Sequence, residues 1–205
     1  MHQKQLIVRG RPLETASRAL VMLHGRGASA EDILSLAAYL HTDGFALLAP
    51  QATNHTWYPF SFLAPPVHNE PWLSSALGLI DEVVKELIDG GISGDKIFLA
   101  GFSQGACLSL EWAARRAGRW GGILAFTGGL IGDKIYPENY QGDFKSTPVF
   151  IGSSDPDPHV PVERVRVTTT LLQQMGAAVT EKIYRNMGHT INEDEIRQAN
   201  KILKG

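Results

Sequence analysis

Cysteine, long apolar runs and excess charge are all scarce in this sequence, and each scarcity excludes a class of protein. The single cysteine, Cys107, excludes an internal disulfide framework and fits a reducing compartment. No apolar run approaches the roughly 18 residues of a membrane-spanning helix, and Met1 is not followed by the charged and apolar regions of a signal peptide. The net charge is −2, with Lys and Arg spread along the chain, so there is no basic stripe for nucleic acid. We expect a cytoplasmic protein without a membrane span.

The remaining composition is typical of a globular protein, with 43% hydrophobic and 20% charged residues. A length of 205 residues is enough for one sizeable core. No linker, internal repeat or low-complexity tract divides the chain. The sequence therefore predicts a single domain over residues 1–205.

Apolar runs of strand length alternate with segments of helical periodicity along most of the chain. An edge strand is predicted at 5–9, and buried strands are predicted at 19–23, 45–49, 97–100, 121–126, 148–151 and 179–184. Helices are predicted at 30–40, 69–88, 104–118 and 162–175 and after Asn192, with Ser29 and Asn192 as N-caps. Such alternation predicts an α/β fold with a mostly parallel, doubly wound sheet.

Glycines and polar residues follow the ends of four predicted strands. In doubly wound sheets, ligands bind beyond the carboxyl ends of the strands. We therefore expect these four loops to meet on one face of the sheet: 24–27, 101–105, 155–159 and 188–189.

The loop at 101–105 reads Gly-Phe-Ser-Gln-Gly, between a predicted strand and a predicted helix. In that setting the pattern is a nucleophile elbow, a turn so sharp that Gly101 and Gly105 must lack side chains. The turn lifts Ser103 clear of the sheet and aims the next helix N-terminus at it. The sequence thus predicts Ser103 as a nucleophile and the main-chain N–H of Gln104 as an oxyanion donor.

A serine nucleophile needs a base, and the base needs a third group to fix its tautomer. On α/β-hydrolase sheets the order along the chain is serine, acid, histidine. Only two of the seven histidines follow Ser103. His159 lies too close to the candidate acids in the chain, whereas His189 follows the last strand and precedes the last helix. We predict His189 as the base, with Asp155 and Asp157 both qualifying as the acid.

Four segments together resemble the phospholipase/carboxylesterase family, a compact group of α/β-hydrolases that includes acyl-protein thioesterases. The similarity extends over nearly the whole chain. The segments are Leu-His-Gly-Arg-Gly at 23–27, Gly-Phe-Ser-Gln-Gly at 101–105, Asp-Pro-His-Val-Pro at 157–161 and Gly-His at 188–189.

The resemblance bears on the acid in two ways. The family carries it in an Asp-Pro-x-Val-Pro segment, which points to Asp157, but its usual distance from the strand-end glycine points to Asp155. We predict the triad Ser103, Asp157 and His189, with Asp155 as the alternative acid.

The resemblance also implies that the second oxyanion donor is the main-chain N–H of Arg26. Many relatives carry an apolar residue there. Two interpretations of the guanidinium stay open at this point. It selects substrates with negative charge, or it pairs with an acidic neighbour and points to solvent.

The long loop at 51–69 is rich in aromatic residues, and we expect Trp57 and Tyr58 to bind substrate as walls of an acyl pocket. No insertion is large enough for a lid, and the irregular stretch at 127–147 is the only candidate cover.

Cys107 is predicted as a core residue. The prolines and histidine near Asp155 and Asp157 make a poor cation cage, so we expect no metal and no cofactor.

We therefore expect a serine hydrolase that cleaves carboxylic esters or thioesters of short-to-medium acyl chains through an acyl-enzyme. The expected partner is a small-molecule ester or thioester, and the expected oligomeric state is a monomer or a weak homodimer. The alternatives are a lysophospholipase or a peptidase of the same fold, or a binding module whose triad is silent.

Overall fold

Seven strands form one sheet in a computed structural model that describes all residues 1–205. The strands are β1 (Leu6–Gly10), β2 (Arg18–Leu23), β3 (Phe45–Pro50), β4 (Ile97–Phe102), β5 (Gly122–Phe126), β6 (Pro148–Asp155) and β7 (Ala178–Arg185). Their order is β1-β3-β2-β4-β5-β6-β7, and only β1 runs antiparallel to its neighbour. The predicted mostly parallel, doubly wound sheet is confirmed.

Burial along each strand follows from its place in the sheet. Every residue of β5 is buried, because helices cover both faces of the sheet centre. The edge strand β7 instead alternates between exposed and half-buried residues, as a strand with one open face does.

Six helices flank the sheet, and none combines the length and apolar character needed to cross a membrane. They are α1 (Ala30–Ser35), α2 (Pro66–Asn69), α3 (Trp72–Asp89), α4 (Gln104–Arg115), α5 (Val162–Gln174) and α6 (Glu193–Lys204). The larger core contains apolar residues of α3, α4 and α5, and a smaller core on the opposite face contains those of α1 and α6.

Capping residues fix the starts of two helices. Ser29 and Asp32 form a reciprocal capping box at α1, and Asn192 and Glu195 form another at α6. α1 is shorter than the predicted 30–40, because it tightens into a 3₁₀ turn at Leu36–Tyr39.

The irregular stretch at 127–147 is anchored in the interior at several apolar residues and does not line the cleft described below. Leu130, Ile131 and Phe144 are buried in the larger core. Glu111 of α4 holds the segment from inside, since its Oε2 accepts from the N–H of Ile131 at 3.0 Å and from the Tyr140 hydroxyl at 2.9 Å. The expectation of a cover is wrong, because apolar side chains drive the segment into the core instead of across the face of the sheet.

The chain order of the sheet reverses between β2 and β4. After β2 the chain adds β3 on one side, and after β3 it crosses over to add β4 on the other. Leu23 at the end of β2 is paired with Gly101 of β4, so the loops that follow these strands start side by side. Such a switch point opens a crevice beyond the strand ends.

Candidate active site

Ser103 occupies a strained turn between β4 and α4, with φ 54° and ψ −116°. A Cβ at Gly101 would collide with the Gly105 carbonyl oxygen, and one at Gly105 would collide with the Leu23 carbonyl oxygen. Two glycines are therefore required at this turn. The Ser103 hydroxyl makes no hydrogen bond to the helix that it precedes, so it is free for other partners.

His189 lies beyond β7, which β5 and β6 separate from β4 in the sheet, and its side chain reaches Ser103. Its Nε2 is 2.8 Å from Ser103 Oγ. The loop is held where the N–H of Gly188 donates to Ser154 Oγ at 3.0 Å. The imidazole packs between aromatic rings, with centroids 5.1 Å from Phe102 and 4.9 Å from His159. Ring packing and the loop hydrogen bond together fix its orientation.

Asp157 lies on the other side of the imidazole, with Oδ2 2.8 Å from His189 Nδ1. Its Oδ1 accepts from the main-chain N–H groups of His159 and Val160, both at 2.8 Å. Burial alone would raise the pKa of the Asp157 carboxyl, but these two N–H groups and the imidazole hold that pKa below its usual range. The carboxylate therefore stays ionised beside His189.

Asp155 is exposed and does not contact the imidazole. Strand β6 continues to Asp155, four residues beyond the predicted end at Ile151. Asp155 is thus still paired with β7, and the turn that reaches His189 begins after it. Of the two candidate acids, the structure brings Asp157 to the imidazole.

The main-chain N–H groups of Arg26 and Gln104 donate no hydrogen bond within the protein. The N–H of Arg26 makes no hydrogen bond to the protein, and that of Gln104 is the first of α4, where no intrahelical acceptor exists. Both residues line the same cleft as Ser103. Two free donors beside the hydroxyl are what an oxyanion requires.

His24 is a functional candidate that the sequence analysis missed. It is fully buried, and its Nε2 accepts from the N–H of Ala52 at 3.1 Å, so the ring proton lies on Nδ1. Nδ1 donates to the Gly25 carbonyl at 2.8 Å, and burial lowers the pKa of His24, which keeps the ring neutral. A trans peptide points its N–H away from its carbonyl, so this bond turns the N–H of Arg26 away from His24. The position of His24 directly after a buried strand was the available signal.

A cleft of about 790 Å³ opens above Ser103. Its lining includes residues 58–63, here called the aromatic wall, and residues 158–161, here called the proline wall. Ser103 and His189 line the same cleft, together with Phe102, Gln104 and Cys107. The site is open to solvent, as expected for a chain without a large lid.

Of the two aromatic residues predicted at the acyl pocket, only Tyr58 lines the cleft. Trp57 is fully buried, and its Nε1 donates to the His24 carbonyl at 2.9 Å. The side chain of Trp57 packs beneath the loop and has no path to a bound substrate. Tyr58 is itself only 1% exposed, so both side chains are packed into the protein.

Of the two interpretations of the Arg26 guanidinium, the structure contradicts the pairing with an acidic neighbour, and the selection of negatively charged substrates stays a prediction. The guanidinium forms no ion pair, and its two terminal nitrogens make four hydrogen bonds to neutral acceptors of residues 56–60.

Cys107 lines the cleft but is 1% exposed, and burial raises its pKa to about 12, so it remains a thiol. No group of three or more His, Cys, Asp or Glu side chains is placed to hold a metal ion.

Comparison with known proteins gives consistent results. The family model described as Phospholipase/Carboxylesterase matches residues 7–205. An acyl-protein thioesterase 1 from Saccharomyces cerevisiae is 27% identical, over 94% of each chain. A crystal structure of a phospholipase/carboxylesterase from Dyadobacter fermentans is 54% identical, covers 98% of this chain and 97% of its own, and has a TM-score of 0.97. A carboxylesterase from Bacillus cereus, 19% identical with a TM-score of 0.79, covers 98% of this chain and 94% of its own and shares the fold.

Proposed function

Because the chain belongs to the phospholipase/carboxylesterase family of α/β-hydrolases, we propose that it hydrolyses carboxylic esters or thioesters through an acyl-enzyme on Ser103. One observation carries the proposal. Two hydrogen bonds of 2.8 Å connect Ser103 Oγ, the two nitrogens of His189 and the Asp157 carboxylate in a continuous chain.

In the first half-reaction, Ser103 Oγ attacks the acyl carbon while His189 Nε2 accepts the hydroxyl proton. The carbonyl oxygen becomes an oxyanion that accepts from the N–H groups of Arg26 and Gln104. The ionised Asp157 stabilises the imidazolium. His189 then gives its proton to the departing alcohol or thiol, and the C–O or C–S bond breaks.

In the second half-reaction, water replaces the leaving group. His189 takes a proton from this water, whose oxygen attacks the acyl carbon of the Ser103 ester. The same two N–H groups hold the second oxyanion. Collapse returns the proton to Ser103 Oγ and releases the carboxylic acid, so no cofactor enters the cycle.

The two walls of the cleft suit the two parts of the substrate. His189 protonates the leaving group, so that group lies on its side, next to His159 and the proline wall. The acyl chain then lies along the aromatic wall, where Phe60, Phe62 and Leu63 offer apolar surface. An open cleft of about 790 Å³ suits short-to-medium acyl chains. The name of the yeast relative, an acyl-protein thioesterase, supports thioesters as a second substrate class.

The test compares the protein with its Ser103→Ala variant on p-nitrophenyl butyrate and on a butyryl thioester. We expect turnover by the parent, a loss of about 10⁴-fold or more in the variant, and covalent labelling of the parent alone by a fluorophosphonate. Ser35→Ala, an exposed serine on α1, should behave like the parent. A folded parent that neither hydrolyses these substrates nor reacts with the fluorophosphonate contradicts the proposal and favours a silent binding module.

The single domain, the cytoplasmic location, the absence of a metal or cofactor, and the monomeric or weakly dimeric state remain predictions. Size-exclusion chromatography with light scattering measures the oligomeric state directly.

A further inference from the structure

The side chain of Arg26 crosses from the loop after β2 to a different part of the chain. Its Nη1 donates to Thr56 Oγ1 at 3.0 Å and to the Pro59 carbonyl at 2.9 Å. Its Nη2 donates to the carbonyls of Tyr58 at 2.9 Å and Phe60 at 2.7 Å. All four acceptors belong to residues 56–60, here called the 56–60 segment. One guanidinium thus fixes the start of the aromatic wall.

The side chain of Gln104 holds the same segment from the interior. Its Oε1 accepts from the N–H of Trp57 at 2.9 Å, and its Nε2 donates to the Tyr58 carbonyl at 2.8 Å. Gln104 is 6% exposed, so these bonds are shielded from water. The two residues proposed to bind the oxyanion through their N–H groups therefore also hold the 56–60 segment through their side chains.

The 56–60 segment has no regular secondary structure to hold it in place. On its far side, Asn69 Oδ1 accepts from the N–H of Phe60 at 2.9 Å. On the cleft side, Arg26 bonds to the carbonyls of three successive residues, 58 to 60. Phe60 is 57% exposed, so packing contributes little to its position.

Given the hydrolase function proposed above, we infer that the Arg26 side chain is a specificity-determining positioning residue that sets the aromatic wall and hence the acyl chain length accepted. A planar guanidinium with several fixed donors suits this role, whereas a lysine ammonium is a single point of attachment. Both terminal nitrogens are fully engaged, so an anionic substrate would have to displace these bonds.

The inference predicts an effect that depends on acyl length. An acetyl group ends close to Ser103 and does not extend along the aromatic wall. Each further methylene that the wall buries favours binding by about fourfold. A wall freed from Arg26 loses that gain for long chains, so kcat/KM for long-chain esters falls relative to kcat/KM for the acetyl ester.

The experiment measures kcat/KM for p-nitrophenyl acetate, butyrate, hexanoate and octanoate. In Arg26→Met, which keeps the main-chain N–H, we expect the hexanoate-to-acetate ratio of kcat/KM to fall about tenfold. The same ratio for Arg26→Lys should lie between the ratios for Arg26→Met and the parent. Arg9→Met, which removes an exposed arginine paired with Glu31 away from the cleft, should keep the parent ratio.

An equal loss of kcat/KM for all four esters in Arg26→Met would indicate a damaged oxyanion hole and overturn the inference. An unchanged ratio would overturn it too. A loss of kcat/KM confined to succinate monoesters would overturn it as well and would instead support the selection of negatively charged substrates by Arg26. A parent inactive on all four esters counts against the proposed function, and amide hydrogen exchange of residues 56–63 then still tests whether Arg26 holds the 56–60 segment. Faster exchange in Arg26→Met supports this role of Arg26, and unchanged protection contradicts it.

Thr56→Val provides a second variant if Arg26→Met does not fold. Thr56 has extended backbone angles that a β-branched residue adopts readily, and the change removes one acceptor of Arg26. We expect the hexanoate-to-acetate ratio to fall about threefold. A ratio equal to that of the parent would contradict the inference.

Discussion

At the scale of single residues, the site depends on side chains whose position is fixed by main-chain neighbours. Asp157 shows this most clearly, because two N–H groups from its own turn hold Oδ1 while Oδ2 faces His189. Asp155, two residues earlier, has the same chemistry but belongs to the strand. The difference between the two aspartates is therefore one of backbone geometry.

Exchange of each aspartate for asparagine tests this difference. We expect Asp157→Asn to lower kcat on p-nitrophenyl butyrate by about 10⁴-fold, since an amide leaves the imidazole in the wrong tautomer. Asp155→Asn should stay within about threefold of the parent, since it does not contact the imidazole. Loss of activity in Asp155→Asn alone would reverse the assignment.

The glycines of the turn at Ser103 give a stability prediction. Gly105→Ala should lower the free energy of unfolding by about 3 kcal/mol, because its Cβ would overlap the Leu23 carbonyl oxygen. Gly78→Ala is the matched control. A Cβ there meets nothing within 4 Å in the middle of α3, so we expect a gain of about 0.5–1 kcal/mol. Urea denaturation measures the free energy of unfolding of both variants, and equal changes would contradict the requirement for glycine at position 105.

At the scale of elements, helix α4 connects the candidate site to the interior. Its first residue, Gln104, holds the 56–60 segment. Two turns later, Glu111 holds the stretch at 127–147, and Arg115 donates to its Oε1 at 2.7 Å. The same helix thus orders two irregular segments, one on the cleft and one in the core.

Glu111→Gln should destabilise the protein strongly. The Glu111 side chain is fully buried, and its carboxylate accepts from Arg115, Ile131 and Tyr140. An amide replaces one acceptor oxygen by a donor and leaves the guanidinium without its counter-charge. We expect a loss of about 2–4 kcal/mol in the free energy of unfolding. Glu138→Gln, an exposed residue of the stretch at 127–147, should change it by less than about 0.5 kcal/mol. Similar changes in the free energy of unfolding for the two variants would contradict the role of Glu111 in holding the stretch at 127–147.

At the scale of the whole molecule, the sheet and the outer helices bring distant loops together at the switch point. The helix that follows the His189 loop, α6, packs on the sheet and carries a buried carboxyl, Glu195. Glu195 Oε2 accepts from the N–H of Asn192, but its Oε1 has no partner. Burial raises the pKa of Glu195 to about 7, from an ordinary value of 4.5.

This raised pKa predicts how stability changes with pH. Below pH 4.5 the Glu195 carboxyl is protonated in both the folded and unfolded states. Between pH 4.5 and about 7 the folded state holds a proton that the unfolded state has lost, so the contribution to stability falls as pH rises. Glu195→Gln removes this titration, so its unfolding free energy relative to the parent should rise by about 2 kcal/mol from pH 5 to pH 8.

Thermal or urea unfolding at pH 5 and pH 8 measures this difference. Glu193→Gln, at the start of the same helix with a side chain 98% exposed, is the matched control and should show no such change. A pH-independent difference between Glu195→Gln and the parent would show that the buried carboxyl does not titrate in this range.

The sequence by itself determined the features that local chemistry controls. Apolar strand runs separated by helical periods specify a doubly wound sheet, and the capping residues Ser29 and Asn192 begin α1 and α6 where predicted. The Gly-Phe-Ser-Gln-Gly motif singled out Ser103, and chain order together with the position after the last strand singled out His189. The same residues carry the resemblance to the family that the comparisons established.

Only the tertiary structure decided what depends on contacts between distant segments. Strand β6 is lengthened by pairing with β7, and this pairing separates Asp155 from Asp157. Burial of Trp57 and the place of Tyr58 in the lining of the cleft, where it is 1% exposed, follow from bonds made by His24 and Gln104, which lie tens of residues away. Hydrophobic periodicity reports which residues prefer to leave water, but it does not report which partner they will meet there.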